Sequence, residues 1–401
     1  VTEAAAIDAA ALADHYRRFG VADRLLLTGH SHQAWPDVAL DGVVEAFDDA
    51  ACHIDLKWQR AFARADRVRQ GVRRVLADPA GEVALGANTH DLLVKLLSAL
   101  ELRRRPRIVT TDGEFHSLRR QLDRLAEEGV EVVKVPAHPV DTLAERLSAA
   151  VTGAPPTAAV MVSAVLFEDG RIVPHLDAVA AACQEVGVEL VVDAYHAVGG
   201  LPFPLAAQGL DDAWVVGGGY KYLQWGEGNA YLRLPPQGRD LRPVITGWYA
   251  DLDQLWGPPA VAGAVHYPAG GAAFATATYD PTSHYRAVRV IDFFDQQQLT
   301  PERLRANYRR QIDLLAGLVD QLDPPDHVLT RDRVTPLDHF ASFLAVRSPR
   351  AGELQAALAA RGVLTDSRGT SLRLGPAPYV TDAQLEAAIG HLGEVVRDLP
   401  G

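Results

Sequence analysis

Residues 189–200 read ELVVDAYHAVGG, and residues 214–229 read WVVGGGYKYLQWGEGN. Each segment opens on an apolar run of strand length. Each run then delivers a residue that is costly to bury: Asp193 at the end of the first, and Lys221 after Gly217–Gly218–Gly219–Tyr220 in the second. A carboxylate or an amine carried to the edge of a core must be paired or put to use. The two segments therefore point to one cleft, with strands that end there.

The same alternation extends outward. Apolar runs fall at Glu82–Ala87, Arg107–Thr111, Glu131–Val135, Ala158–Leu166, Glu189–Ala194, Ala213–Gly217 and Asn229–Leu234. Between several of them lie amphipathic helical patterns at Asp91–Leu100, Ser117–Glu128, Asp141–Ala150 and Leu176–Val186. Strand, helix, strand in repetition predicts an α/β chain with a mainly parallel sheet covered on both faces. Such sheets carry their chemistry at the carboxyl ends of the strands. Gly153–Pro156 reads as a turn inside this region, and Val1–Phe19 as an amphipathic helix.

The remainder differs. A long helical pattern runs from Tyr285 to about Leu322, broken where Pro301 opens a new helix, and Pro324–Pro325 closes it. A strand at Phe343–Val346, a helix at Glu353–Arg361, a strand at Ser371–Leu374 and a helix at Asp382–Val396 complete a smaller α+β unit. The reading is residues 1–60 as an N-terminal arm and helices serving the site and the small domain, 61–284 as the large domain, and 285–401 as the small C-terminal domain.

Composition narrows the function. The chain has 401 residues, 48% hydrophobic and 22% charged, with a formal net charge of −12. No lysine/arginine run exceeds Arg103–Arg105, which argues against nucleic acid or an anionic membrane as a partner. No apolar stretch reaches the ~18–20 residues of a membrane helix. The N-terminal segment lacks the pattern of a secretory signal, so a cytoplasmic protein is expected. Cys52 and Cys183 form no CxxC and no metal-ligand spacing, and the 14 histidines include no HExxH, so neither a disulfide nor a metal is expected.

Lys221 and Asp193 together suit one cofactor chemistry. A desolvated lysine amine is the nucleophile that forms a Schiff base. Pyridoxal 5′-phosphate (PLP) needs such a lysine, and a carboxylate that keeps its pyridine nitrogen protonated. Taken singly, Lys221 reads as a solvated turn residue and Asp193 as a helix cap; it is their order in an alternating α/β chain that favours the cofactor.

These segments resemble fold-type I PLP-dependent enzymes of the aminotransferase class V type, and within them kynureninase most. DAYHAVGG is similar to the kynureninase DxxHAVG block, and GGGYKYLQWGEGN to its SYKYLNxGxG block. LLLTGHSHQAWP, LRPVITGWYAD and SLRLGPAPYVT occupy, in order, the places of weaker flanking segments. The resemblance implies that Lys221 carries the cofactor and later moves the Cα proton, that Asp193 pairs with the pyridine nitrogen, and that His196 supports the ring. Tyr220 would reach the phosphate and take part in proton delivery. Thr89 and His90 would bind phosphate at a strand-to-helix junction, where backbone amides suit an anion on general grounds. Phe115 would stack on the ring, Trp248 and Thr278 would reach the partner's site in a homodimer, and Arg373 would grip the substrate carboxylate.

Departures concentrate at the substrate end. The family's GNSLG becomes Gly29–His30–Ser31–His32–Gln33, so Ser31 and His32 are candidate substrate contacts, with His53 in the place of a substrate-contacting histidine. The asparagine after YKYL is Gln224, the aryl-contacting asparagine is Thr278, and an RG pair is Asp338–His339–Phe340. The resemblance implies hydrolytic Cβ–Cγ cleavage of a small amino acid, giving alanine and a carboxylic acid. A Cβ–X lyase, a cysteine desulfurase or selenocysteine lyase, and an aminotransferase remain alternatives, as does a non-catalytic PLP-fold binding protein.

Overall fold

The computed structural model describes residues 6–252, 254 and 263–398. Seven strands form the main sheet: β1 (Glu82–Gly86), β2 (Arg107–Thr111), β3 (Glu131–Val135), β4 (Thr157–Ser163), β5 (Glu189–Asp193), β6 (Trp214–Gly218) and β7 (Ala230–Leu234). Their spatial order is β1-β7-β6-β5-β4-β2-β3. Every pairing from β6 to β3 is parallel, and β7 runs antiparallel to both β6 and β1. Each apolar run expected to be a strand is one.

Burial explains the legibility. Every residue of β2, β4, β6 and β7 is buried, so these strands are covered on both faces, as central strands of such a sheet must be. The edge strand β3 is largely open and reads EVVKV. Helices α3 (Thr89–Ala99), α4 (His116–Glu127), α5 (Leu143–Val151) and α6 (Leu176–Val186) connect the strands, within two residues of the expected limits.

Preceding the sheet, α1 (Val38–His53) and α2 (Lys57–Val75) pack on α7 (Thr282–Gln296). The break before Pro301 is real, and α8 (Pro301–Gln321) starts with Thr300 capping the Arg303 amide. A second, antiparallel sheet joins β8 (Thr330–Arg331), β9 (Leu344–Arg347), β10 (Asp366–Arg368) and β11 (Ser371–Leu374) in the order β10-β11-β9-β8. Helices α9 (Ala351–Ala360) and α10 (Asp382–Asp398) accompany it.

The N-terminal helix expected over Val1–Phe19 is corrected. Within the described part of that segment, the α-helix spans only Ala9–Ala13, and a 3-10 turn spans Arg17–Phe19; Val1–Ala5 lie outside the described residues. Gly20, at φ +59°, ends the turn. The chain then lays Leu25–Leu26 parallel to Val363–Leu364, and Thr28 bridges to Gly375. This stitching carries Gly29–Gln33 towards the carboxyl edge of the main sheet. None of the described helices is long and apolar enough to cross a membrane.

Candidate active site

Strands β4 and β5 end side by side, with Ser163 paired to Asp193, and β6 ends next to them at Gly218. Strand β1 ends at the same edge and leads through Ala87–Asn88 into α3. A cavity of about 310 Å³ opens there. Its lining includes Thr89, His90, Phe115, Asp193, His196, Tyr220 and Lys221, which the structure thus brings together from four separate stretches of chain.

The glycine run before Lys221 has a packing cause. A Cβ on Gly217 would come 2.5 Å from the Tyr231 hydroxyl, one on Gly218 2.1 Å from the Tyr195 hydroxyl, and one on Gly219 2.6 Å from Trp225 Cβ. Three aromatic side chains therefore press against the strand end that presents the lysine. Beyond it, Gln224 adopts φ +58° and its amide donates to Gln33 (2.8 Å), while Tyr16 donates to Gln224 (2.6 Å). Gln33 in turn donates to Tyr308 (2.9 Å). Two of the departures from the family pattern, Gln33 and Gln224, are thus bonded to each other and tie the N-terminal turn to the lysine turn.

The chain contains only four lysines: Lys57, Lys95, Lys134 and Lys221. Lys95 is as buried as Lys221, but its ammonium donates to the Phe274 carbonyl (2.5 Å). Lys134 is paired with Asp123 at the surface, and Lys57 lies over the Trp58 ring. Lys221 alone among them lines the cavity. Its Nζ lies 2.7 Å from His196 Nε2 and 5.1–5.9 Å from the centroids of Tyr195, Phe115 and Tyr220. Burial pulls its pKa down to about 7, with Asp193 opposing and Arg373 adding to the shift. Burial, then Lys221, also holds His196 well below the ordinary histidine range, so the imidazole is neutral.

Asp193 faces the cavity from its strand end and accepts from the Tyr195 amide (2.8 Å). Burial raises its pKa, against the pull of that amide and of Lys221. A cationic ring nitrogen is the partner that would restore its charge. At the other wall, Asn88 caps α3 by accepting from the Asp91 amide (2.9 Å), and Thr89 Oγ1 is buried with no partner among the described residues. A helix start with an unpaired hydroxyl fits a phosphate. Amine, carboxylate, aromatic wall and anion-ready helix end fit PLP together.

The remaining candidates lie elsewhere. His32 stacks on Tyr220 (4.9 Å, 24°), approaches Glu227 at 3.8 Å and is bonded to Ser31 (3.1 Å), which places both at the mouth. His53 ends α1 and is exposed, away from this cavity. Trp248 and Thr278 are also exposed and line no part of it. Arg373 is buried: it donates to Asp366 (2.7 Å) and to the Phe167 carbonyl (2.5 Å), and its Nε has no partner among the described residues.

Sequence reasoning passed over Ser163, Tyr195, Glu227 and Asn229, all of which line the cavity. Tyr195 was legible inside DAYH. Glu227 sits inside WGEGN, where the glycines drew the reading. Glu114, buried beneath the site, accepts from Thr111 Oγ1 and Ser163 Oγ (2.6 Å each), and burial lifts its pKa to about 7.

Residues 56–223 match the family model for aminotransferase class-V. An uncharacterized aminotransferase, YcbU of Bacillus subtilis (strain 168), is 22% identical over 357 residues, covering 87% of this chain and 88% of its own. Among solved structures, a variant of C-DES with glycine covalently linked to its PLP cofactor superposes with a TM-score of 0.82 at 17% identity, over 95% of this chain and 99% of that one. A cysteine desulfurase from Thermococcus onnurineus NA1 gives 0.80 at 16%, over 98% and 99%. The cystine C–S lyase C-DES in complex with its product cysteine persulfide gives 0.79 at 18%, over 94% and 98%. The fold is that of fold-type I PLP-dependent enzymes. Over residues 56–223 the chain is similar to the aminotransferase class-V family, and its fold and cavity suit PLP as the cofactor.

Proposed function

We propose that this enzyme is a lyase that breaks a Cβ–S bond in a small amino acid. The observation that carries the reading is Lys221 and Asp193 in one cavity that holds no thiol. The chain has two cysteines; Cys183 is buried in α6 with its pKa pushed up to about 12, Cys52 lies exposed on α1, and neither lines the cavity. A desulfurase that takes sulfur onto its own cysteine needs a reactive thiol at the site. A lyase that releases the sulfur product does not. The names of the similar structures, cysteine desulfurase and cystine C–S lyase, support cleavage at Cβ–S. Cβ–Cγ cleavage of kynureninase type rests on the two central sequence blocks, while the residues that would read the aryl group are replaced.

Bound PLP supplies an electron sink for the charge left at Cα. Lys221 takes the Cα proton, since an amine titrating near 7 is available both as base and as acid at neutral pH. His196 holds that amine, and Asp193 would keep the ring nitrogen of the cofactor protonated. Thr89, His90 and the α3 amides would hold the phosphate, Phe115 would lie against the ring, and Tyr220 would deliver a proton. Arg373 holds the substrate carboxylate. The electron pair of the broken bond leaves on sulfur, and water completes the balance: amino acid plus water gives thiol, pyruvate and ammonia.

The two sheets support a large domain over 61–284 and a small one over 285–401 joined by the 1–60 arm. α1 carries an exposed apolar stripe of Leu40, Val44 and Phe47, with Ile54, Leu56 and Trp248 also open, which supports a homodimer in which Trp248 and Thr278 reach the partner's phosphate.

The test is product analysis with L-cystine and L-kynurenine. Pyruvate, ammonia and a persulfide from L-cystine are expected, with no anthranilate from L-kynurenine. Anthranilate and alanine from L-kynurenine, with L-cystine untouched, would overturn the reading.

A further inference from the structure

The Gly29–Gln33 turn is densely bonded except at one residue. The Gly29 amide donates to the Gly375 carbonyl (2.7 Å), and the Gly375 amide to Leu27 (2.8 Å). The His30 ring fills the space that a side chain at 375 would need, its Nδ1 lying 2.1 Å from the Cβ position of that glycine. His30 is fully buried, and neither ring nitrogen has a hydrogen-bond partner among the described residues. Buried polar groups left unpaired are costly and uncommon.

What surrounds His30 narrows the explanation. Its ring stacks on Phe343 (4.7 Å, 31°). The same phenyl ring lies 5.9 Å from Arg373 Cζ and 6.2 Å from His196, which lines the cavity. Arg373 Nε is a second buried donor without a partner among the described residues. Two unpaired donors therefore flank one aromatic ring, directly behind the Lys221–His196 pair. The cations Arg373 and Arg368 share one carboxylate, Asp366, bonded at 2.7 and 2.9 Å. The missing complement is an anion with two acceptor oxygens, and Phe343 is the ring that both side chains pack against.

We infer that His30 is a specificity-determining residue that, with Arg373, reads the carboxylate of the amino-acid substrate. The inference rests on the PLP-enzyme reading above. One carboxylate oxygen accepts from Arg373 Nε and the other from the His30 ring N–H. Burial and the neighbouring cations keep the ring uncharged, so it acts as a hydrogen-bond donor rather than as a counter-charge.

The test uses the PLP-loaded enzyme and two probes that carry no leaving group, L-alanine and L-alaninamide, with binding read from the visible spectrum of the cofactor. His30→Leu should weaken L-alanine at least tenfold, leave L-alaninamide within twofold, and not lower the melting temperature. His30→Asn, which returns one N–H, should fall between parent and His30→Leu for L-alanine. Equal weakening of both probes, no weakening of either, or failure of both variants to fold would overturn the inference and reduce His30 to packing. A parent enzyme whose spectrum responds to neither probe would instead count against the PLP reading itself.

Discussion

Lys221 Nζ and His196 Nε2 stand 2.7 Å apart, presented by the turns that follow two neighbouring parallel strands, β6 and β5. The contact fixes where the amine points before any substrate enters. His196→Phe keeps the ring and removes the nitrogen, so the cofactor should still bind. Misplacing a reacting group by an ångström costs on the order of 10²-fold, and a loss of about that size is expected in kcat with little change in PLP affinity. Steady-state kinetics beside a cofactor titration measure both; an unchanged kcat would remove His196 from the site's machinery.

Arg373 and Asp366 form a buried pair whose rupture leaves a carboxylate without its best partner. Removing one member of such a pair costs roughly 3–5 kcal/mol. Arg368 still reaches Asp366 at 2.9 Å, so Arg373→Ala should lie near the low end, about 3 kcal/mol. The double variant Arg373→Ala/Asp366→Ala should recover part of that loss in denaturant unfolding. Additive losses would show that the pair is not coupled.

Glu114 gives the fold a pH dependence. Its folded-state pKa, about 7, lies above the ordinary 4.5. The folded protein keeps a proton that the unfolded chain releases, so this residue lowers stability as pH rises from about 4.5 to about 7, and the effect levels off above that. At 1.36 kcal/mol per unit the swing is on the order of 3 kcal/mol. Glu114→Gln retains an acceptor for Thr111 and should flatten the profile between pH 5 and 8. A parallel profile in the variant would place the dependence elsewhere.

The exposed stripe on α1 makes self-association testable. Phe47 is 75% exposed and Val44 50%. A charge at the centre of such a patch should disfavour its burial. Phe47→Glu should shift the protein from dimer to monomer in light scattering at micromolar concentration and lower PLP retention, because Trp248 and Thr278 would no longer reach the partner's site. A parent that is monomeric at all concentrations would dispose of this account of the interface.

Much of this was legible in sequence for a physical reason. The central strands are buried on both faces, so they stand out as apolar runs, and Asp193 and Lys221 stand out because charge ends those runs. Thr89, His90 and Phe115 came from the family resemblance, and they line the cavity with Asp193 and Lys221. The two-residue strands at Leu25–Leu26 and Val363–Leu364 have no periodicity to read, since their partners lie more than three hundred residues away. The bond between Gln33 and Gln224 was invisible for the same reason: each looked like an isolated departure, and only the fold shows them compensating. The buried pairing of Arg373 with Asp366 was hard to read, because β10, which supplies Asp366, is three residues long and carries no strand signal.

The central claim is that Lys221 is the lysine that holds PLP. Borohydride reduction of the PLP-loaded protein, followed by peptide mapping, tests it among only four lysines. The account expects the label on Lys221 alone, and no label in Lys221→Ala. Label on Lys57, Lys95 or Lys134, or a parent protein that takes up no PLP, would contradict it.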